Sequence, residues 1–320
     1  MKVLVISGFL GAGKTTFIKE LAHRTHRDFA VMENEYGEVG IDGGILEDAP
    51  EKLNIWELTE GCVCCSRSKD FATSVLTIAN TVDPEFLIVE PTGVGMLSNV
   101  LQNLSQIQYE KITLLSPITL LDGHSFDRYH GEFPEIYRDQ ITAAGTVLIS
   151  KMESAPPEEL DVLCQKIRSI HPQAQICREH YSRNPDSWWE DVLKQGLTGA
   201  LPEADNRQAD LQTLGLTDVS LSTPDQLLLL LSGVVSGLFG NIVRAKGCLK
   251  AGESWLRFDT ADRLYSITGC EPMEESRAVF IGTDLKRSML REILQKEITV
   301  TAFHSSPRIR RSQKNASLRF

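Results

Sequence analysis

The sequence predicts an α/β fold in which helices flank a mostly parallel sheet, followed by a smaller C-terminal α+β domain. Short apolar runs alternate with amphipathic stretches through residues 1–200, as in βαβ units. The first apolar run leads directly into a glycine-rich loop and a helix. The pattern weakens over residues 201–223, which we interpret as a linker, and turn-separated strands dominate residues 224–320.

The first predicted strand ends in the loop GFLGAGKT, residues 8–15, and residues 16–22 read as a helix. The pattern G-x-x-x-x-G-K-[ST] between a strand and a helix is typical of the phosphate-binding loop of P-loop NTPases. Lys14 would reach the β- and γ-phosphates, and the Thr15 hydroxyl would bind Mg²⁺. The residues expected around the phosphates are Gly8, Gly11, Ala12, Gly13, Lys14, Thr15 and Thr16. The alternative is a glycine-rich turn that binds nothing; a dinucleotide-binding G-x-G-x-x-G does not fit the glycine spacing.

A second strand at residues 29–32 leads into an acidic, glycine-punctuated segment, residues 33–42. In a phosphate-loop NTPase, a switch segment lies here, ordered by the γ-phosphate and Mg²⁺ and released after hydrolysis. Glu38 is our candidate for the residue that orients the attacking water. The alternative is a solvated acidic loop.

A third strand at residues 54–58 precedes a cluster of cysteines at Cys62, Cys64 and Cys65. Alone, this spacing cannot form a Cys₄ zinc site, but it offers two or three thiolates and leaves a position open. Soft thiolates favour zinc, cobalt or copper(I) over magnesium or calcium, and Glu33, Glu38 or a histidine would complete the shell. The alternatives are three unliganded cysteines or a redox pair, although adjacent cysteines form a strained disulfide.

A helix at residues 68–82 and a buried strand at residues 86–89 follow, and the strand ends at Glu90. Glu90 would hold Mg²⁺ through water, and the backbone N–H of Gly93 would approach the γ-phosphate. The alternative is an ordinary strand-end turn. Residues 112–121 read as one extended strand around Pro117.

The next buried strand, residues 146–149, ends in the sequence SKME. A helix opening at Pro157 and a short strand at residues 175–177 complete the first domain. Beyond the linker, four strands precede a helix at residues 285–294.

Composition narrows the class of protein further. The net charge of −10 argues against nucleic-acid binding, and no apolar run is long enough to span a membrane. The first strand begins almost at residue 1, which leaves no room for a signal peptide. The seven cysteines are odd in number and partly clustered. We therefore expect a cytoplasmic protein with reduced thiols and no membrane or nucleic-acid partner.

Taken together, residues 8–15, 33–42, 61–65 and 90–93 resemble the CobW family of GTPases, which are relatives of UreG and HypB. The later domain resembles the CobW C-terminal domain at residues 244–247 and 279–285. The resemblance implies GTP hydrolysis to GDP with Mg²⁺, and binding of zinc or cobalt through the cysteines. It also implies that Glu33 and Glu38 lie near enough to contribute ligands. The implied partner is a client metalloprotein or a cobalamin-related enzyme; homodimerisation is left open.

Two departures from the family pattern qualify this interpretation. Ser150, Lys151 and Glu153 stand where the family has Asn-Lys-x-Asp for guanine. Glu153 is one methylene longer than the usual acid, and Ser150 lacks the amide that braces the loop, so weakened GTP preference and tolerance of ATP are expected. No histidine-rich stretch is present, which disfavours bulk metal storage. The rival hypotheses are a nucleotide-gated binding module with little turnover and a small-molecule kinase.

Overall fold

The computed structural model describes residues 1–34, 53–58, 68–201 and 211–295, with only the backbone described for residues 34, 53–58 and 68–70. Within these ranges, no helix has both the length and the apolar character needed to cross a membrane.

The first sheet is parallel, with strand order β3-β2-β4-β1-β6-β7-β8. Its strands are β1 Lys2–Gly8, β2 Phe29–Asn34, β3 Leu53–Leu58, β4 Phe86–Glu90, β5 Thr113–Leu114, β6 Ile118–Asp122, β7 Thr146–Ser150 and β8 Gln175–Cys177. Its helices are α1 Lys14–Thr25, α2 Ser68–Thr81, α3 Leu97–Ser105, α4 Phe126–Glu132, α5 Pro134–Thr142, α6 Pro157–Ile170 and α7 Asp186–Val192. Because all its strand pairs are parallel, their carboxyl ends meet at one edge, where ligands bind in such sheets.

Apolar layers cover both faces of this sheet. Alternate residues of β1 point to opposite sides, so Val3 belongs to the layer under α2 and α3, and Leu4 to the layer under α1. On the α1 side, Trp189 is fully buried and its ring lies 5.3 Å from that of Phe17. Trp189 is therefore a packing residue. The packing of Trp189 therefore holds α1, the helix that begins at Lys14, in position.

The extended strand predicted over residues 112–121 is wrong in one respect. The structure has two short strands, with β5 pairing the amino end of β1 and β6 pairing its carboxyl end. Pro117 lies between them and has no backbone N–H to continue a ladder. The interruption leaves β6 in register to end at Asp122, beside the loop that follows β1.

The second sheet is antiparallel along the order β13-β12-β11-β14-β9, and β10 pairs in parallel with β11. Its elements are β9 Gln212–Thr217, β10 Ser220–Leu221, α8 Pro224–Val235, β11 Asn241–Ala251, β12 Ser254–Ala261, β13 Leu264–Gly269, β14 Arg277–Thr283 and α9 Arg287–Leu294. Helices and an antiparallel sheet together confirm the predicted smaller α+β unit.

The linker predicted for residues 201–223 is too long, because β9 and β10 lie inside it. Only Leu214 and Leu216 face the core from β9, and polar residues or glycine surround them. The segment becomes a strand by pairing with β14, which is distant in sequence. Such a pairing leaves little local pattern. The division at residue 224 therefore remains an interpretation of the sequence pattern.

The two sheets share an apolar contact. Val243, Val279 and Ile281 of the second sheet are buried in the same apolar layer as Val5 of β1. The opposite face of the second sheet, including Ala245 and Phe280, packs with α8 and α9. Each side of β11 and β14 therefore has a different neighbour, and one side is turned toward the first sheet.

Candidate functional site

The loop between β1 and α1 lies at the carboxyl edge of the first sheet and needs its glycines. Gly8 has a φ of 143°, and a Cβ at this position would lie 2.4 Å from the carbonyl oxygen of Leu120. The loop can therefore pass close to β6 only with glycine here. Gly11 and Gly13 also have positive φ. Ala12 is buried, Thr15 is half-buried and Thr16 is exposed at the start of α1.

Lys14 is the central cation of this loop. It is 7% exposed, and its Nζ lies 3.2 Å from the Gly8 carbonyl oxygen and 3.8 Å from Oε1 of Glu90. Burial lowers the pKa of Lys14, and the Glu90 carboxylate opposes that shift. Arg244 and Lys246 lower its pKa further. A buried ammonium close to other cations is unfavourable, and a bound anion would stabilise its charged form.

Acidic residues line up across the strand ends next to Lys14. In the register of the sheet, Glu33 of β2 is the partner of Glu90 of β4 on one side and of Glu57 of β3 on the other. Carboxylate oxygens and the Thr15 hydroxyl are hard ligands of the kind that Mg²⁺ prefers. The donors at this edge therefore fit a magnesium ion. Glu33, predicted as a transition-metal ligand, is placed beside the predicted magnesium residue Glu90.

The turn after β4 closes on the phosphate loop. A Cβ at Gly93 would lie 2.6 Å from the backbone nitrogen of Leu10, so the two backbones touch only because residue 93 is glycine. The buried side-chain amide of Gln140 donates to the carbonyl oxygens of Gly93 and Gly95 at 3.2 and 3.0 Å. Gln140 was not predicted, because nothing in its local sequence marks a contact with this turn.

Ser150, which lacks the amide of the family pattern, contacts the phosphate loop through its hydroxyl. Its buried Oγ lies 2.8 Å from the carbonyl oxygen of Ala12 and 3.1 Å from that of Leu121, so its hydroxyl can donate to either. The hydroxyl therefore ties the end of β7 to the phosphate loop. Lys151 follows with a φ of 62°, and its Nζ contacts Oδ2 of the buried Asp122 at 2.9 Å.

Glu153, the expected guanine-binding acid, lies in a different environment from Lys151. Its Oε1 is 3.0 Å from Nε2 of His180, and 46% of its side chain is exposed. Lys151 lines the cavity above the phosphate loop, whereas Glu153 lines a neighbouring cavity of about 270 Å³. Lys151 and Glu153, the lysine and acid of the expected base-binding motif, therefore line two neighbouring cavities.

The cavity above the phosphate loop has a volume of about 530 Å³ and is lined by both sheets. The first sheet contributes the loop, the Glu90–Gly93 turn and Lys151. The second contributes Arg244 and Lys246 of β11, together with residues of β12, β13 and β14. Sequence reasoning did not connect Arg244 and Lys246 with the phosphates, because only the folded contact between the sheets brings them there.

Some of the predicted site residues are not among those that the structure describes. Glu38, Cys62, Cys64 and Cys65 lie outside the described residues. Within the described ranges, no group of three or more His, Cys, Asp or Glu side chains is arranged to hold a metal ion. The described cysteines, Cys164, Cys177, Cys248 and Cys270, are free thiols.

Comparison with known proteins agrees with this geometry. The family model described as "CobW/HypB/UreG, nucleotide-binding domain" matches residues 2–178, more than half of the chain. The chain belongs to the CobW/HypB/UreG family. A second model, "Cobalamin synthesis protein cobW C-terminal domain", matches residues 213–297. The cavity is thus lined by a CobW-type nucleotide-binding domain on one side and by a CobW-type C-terminal domain on the other, and the predicted resemblance is confirmed.

The chain is 36% identical over 168 residues to zinc chaperone YeiR of Escherichia coli, covering 50% of this chain and 49% of that protein. It is 24% identical over 236 residues to zinc-regulated GTPase metalloprotein activator 1 of Dictyostelium discoideum, covering 62% and 49%. The chain spans about half the length of the curated relatives it matches. The crystal structure of Zn(II)-bound YjiA GTPase from E. coli aligns with 92% of this chain and 97% of that chain, at 20% identity and a TM-score of 0.45.

Proposed function

We propose that this chain is a Mg²⁺-dependent GTPase whose nucleotide state controls the binding and delivery of zinc or cobalt. The observation that carries the proposal is the position of Lys14, buried in a glycine loop at the carboxyl edge of a parallel sheet and facing the Glu90 carboxylate. The family match over residues 2–178 supports the nucleotide as ligand.

In this proposal, the loop amides and Lys14 stabilise negative charge on the transferring phosphoryl group. Thr15 would hold Mg²⁺ directly and Glu90 through water, and the bound ion would neutralise charge between the β- and γ-phosphates. Glu33 lies in register with Glu90 and extends this acidic edge. Glu38 remains our candidate for orienting the attacking water.

Strand order supports coupling between the nucleotide and the cysteines. β3 lies beside β2, which lies beside β4, so the chain leaves β2 and β3 at the same edge as the phosphate loop. Cys62 is four residues beyond Leu58, the last residue of β3. Four extended residues span at most about 14 Å, and neighbouring strands lie about 4.8 Å apart. This short sequence separation between β3 and Cys62 is what supports the proposed coupling between the cysteines and the acidic edge.

We propose zinc as the first candidate cargo, because two relatives are named a zinc chaperone and a zinc-regulated activator. Cys62, Cys64 and Cys65 would bind the ion as cargo, with Glu33 or Glu38 completing the shell in one nucleotide state. A client metalloprotein or cobalamin-related enzyme would receive it in the cytoplasm. Cobalt remains the second candidate.

The proposal is tested by measuring zinc and cobalt affinity of the full chain with GDP and with a non-hydrolysable GTP analogue. We expect affinities that differ between the two states, and loss of tight binding in Cys64→Ala. Equal affinity in both states would falsify the coupling. Steady-state hydrolysis of GTP and ATP, with and without zinc, tests turnover. Negligible hydrolysis with nucleotide-dependent zinc affinity would instead favour a nucleotide-gated binding module.

A further inference from the structure

The cavity above the phosphate loop gathers positive charge. Among the residues that the structure describes, five basic and two acidic side chains line it, in a chain whose net charge is −10. The basic residues are Lys14, Lys19, Lys151, Arg244 and Lys246, and the acidic ones are Glu90 and Asp259. Like charges repel most strongly where water is partly excluded, so this arrangement favours a polyanionic ligand.

Arg244 is held with one edge toward the phosphate loop. Its Nη2 contacts Oδ2 of Asp259 on the neighbouring strand at 2.8 Å, and its side chain is 14% exposed. Its Nη1 lies 3.1 Å from where a Cβ of Gly11 would be. The guanidinium is thus oriented by Asp259 and reaches the loop that forms the phosphate site.

Lys246 lies on the same side of β11. Ala245 and Leu249 pack with α8 on the other side, which leaves Arg244 and Lys246 on the side turned toward the first sheet. A register shift between Ile242 and Arg244 marks a bulge at the start of this strand. Bulges re-aim side chains, and this one lets Val243 join the apolar contact between the sheets.

Polar contacts between the sheets fix this placement. Arg128 of α4 donates to Oδ1 of Asp262 at 3.0 Å, and Asn241 donates to Oε2 of Glu132 at 3.2 Å. Asp262 lies in the hairpin turn between β12 and β13, next to Ala261, which lines the cavity. The second sheet therefore has a defined position over the phosphate loop.

We propose that Arg244 and Lys246 bind the terminal phosphate of the nucleotide, so that the C-terminal domain completes the triphosphate site in cis. This inference rests on the proposed nucleotide binding and adds a role for the second sheet. A guanidinium binds phosphoryl oxygens through two parallel N–H donors, and Lys246 adds a point charge. Arg244 would stabilise charge that develops on the γ-phosphoryl group during transfer to water. In GDP this phosphate is missing, so the second sheet would distinguish the two nucleotide states.

The test compares Arg244→Ala, Arg244→Lys and Lys246→Ala with the control Lys250→Ala. Lys250 lies on the same strand but is exposed and does not line the cavity. The full chain is titrated with fluorescent GDP and with a fluorescent non-hydrolysable GTP analogue, each with Mg²⁺. Single-turnover GTP hydrolysis is measured in parallel, and thermal unfolding checks the folding of each variant.

For Arg244→Ala we expect at least about tenfold weaker binding of the GTP analogue and about 100-fold slower hydrolysis, since cations at this phosphate accelerate transfer strongly. GDP affinity should change less than about threefold, because β-phosphate binding depends on Lys14 and the loop amides. Arg244→Lys should recover part of the analogue affinity and little of the rate. Lys246→Ala should show a smaller loss of analogue affinity, and Lys250→Ala none.

Two outcomes would overturn the inference while leaving the proposed function intact. One is wild-type analogue affinity and hydrolysis in Arg244→Ala and Lys246→Ala. The other is an equal loss of GDP and analogue affinity with a lowered melting temperature, which would make Arg244 a residue that only holds the sheets together. If the wild-type chain binds neither nucleotide, the proposed function itself fails, and this inference fails with it.

Discussion

The two ends of the candidate nucleotide site are formed by different kinds of groups. At the phosphate end, Lys14 is 7% exposed, and the groups around it come from two sheets. At the base end, one loop after β7 carries Glu153, whose side chain is 46% exposed and is engaged by His180. Backbone and buried charge fix the first end, whereas side-chain contacts at the surface define the second. The site should therefore hold phosphates firmly and discriminate bases weakly.

The largest expected effect is at the phosphate end. Replacing Lys14 with alanine removes charge-assisted hydrogen bonds worth about 1.5–3 kcal/mol each. We expect GDP and GTP affinity to fall by at least about 100-fold, and nucleotide-dependent stabilisation in thermal unfolding to disappear. Lys111→Ala is the control, because this exposed lysine does not line the cavity. Near-normal binding by Lys14→Ala would contradict the assignment of this loop.

A smaller effect is expected at the base end. Glu153→Ala should weaken GDP binding by about tenfold, consistent with the loss of hydrogen bonds to a charged acceptor, while ADP binding stays within about twofold. The measurement is competition of GDP and ADP against a fluorescent nucleotide.

His180→Ala sharpens the same test. It frees the Glu153 carboxylate from its contact at 3.0 Å, and GDP affinity should then rise relative to ADP affinity. If the affinities for GDP and ADP respond equally to both substitutions, Glu153 does not recognise the base.

The Ser150 hydroxyl joins the two ends, so its removal should have a moderate effect on both. Ser150→Ala leaves a buried carbonyl of Ala12 or Leu121 without this donor. We expect a loss of about 1–2 kcal/mol in the free energy of unfolding, measured by urea denaturation. Ser154→Ala in the same loop is the control, since Ser154 is exposed. Equal stability of both variants would rule out a brace at Ser150.

The smallest effect at neutral pH is expected for Tyr181→Phe. Tyr181 packs edge-on against Phe17 near the base end, and burial raises its pKa to about 12, with Glu20 and Glu153 adding to the shift. At pH 8 the phenol is protonated in both folded and unfolded chains, so stability should change by less than about 1 kcal/mol.

Above pH 10 the two proteins should diverge. An unfolded tyrosine loses its proton near pH 10, whereas folded Tyr181 keeps it until about pH 12. The folded state then binds more protons, and the stability present at lower pH is lost as pH rises toward 12. Tyr181→Phe should lose less stability over this interval in urea titrations. Parallel curves for both proteins would show that Tyr181 titrates normally.

The phosphate end was predictable because its signal is local. Glycine, lysine and threonine at fixed spacing between a strand and a helix define the loop, and Glu90 ends an unmistakable buried strand. Arg244 and Lys246 carry no such signal. Their proximity to the loop depends on how the two sheets pack, and the local sequence does not predict that packing.

At the base end, the resemblance to Asn-Lys-x-Asp predicts Ser150, Lys151 and Glu153 as the guanine-binding segment, and this stays a prediction. The contact that the Ser150 hydroxyl makes could not be predicted from the sequence. The small hydroxyl of Ser150 takes over a bracing role because Ala12 passes within 2.8 Å of it. Side-chain distances of this kind are set by tertiary packing. The same applies to β9, which is a strand through its distant pairing with β14.

Gly11 and Ala261 form a pair of small residues where the two sheets meet. A Cβ on Gly11 would lie 2.9 Å from the Cβ of Ala261, closer than such atoms approach in proteins. A chimera that joins the C-terminal half of another relative to this N-terminal half therefore needs small residues at positions 11 and 261. Added bulk at either position would wedge the halves apart, even if every charged residue were retained.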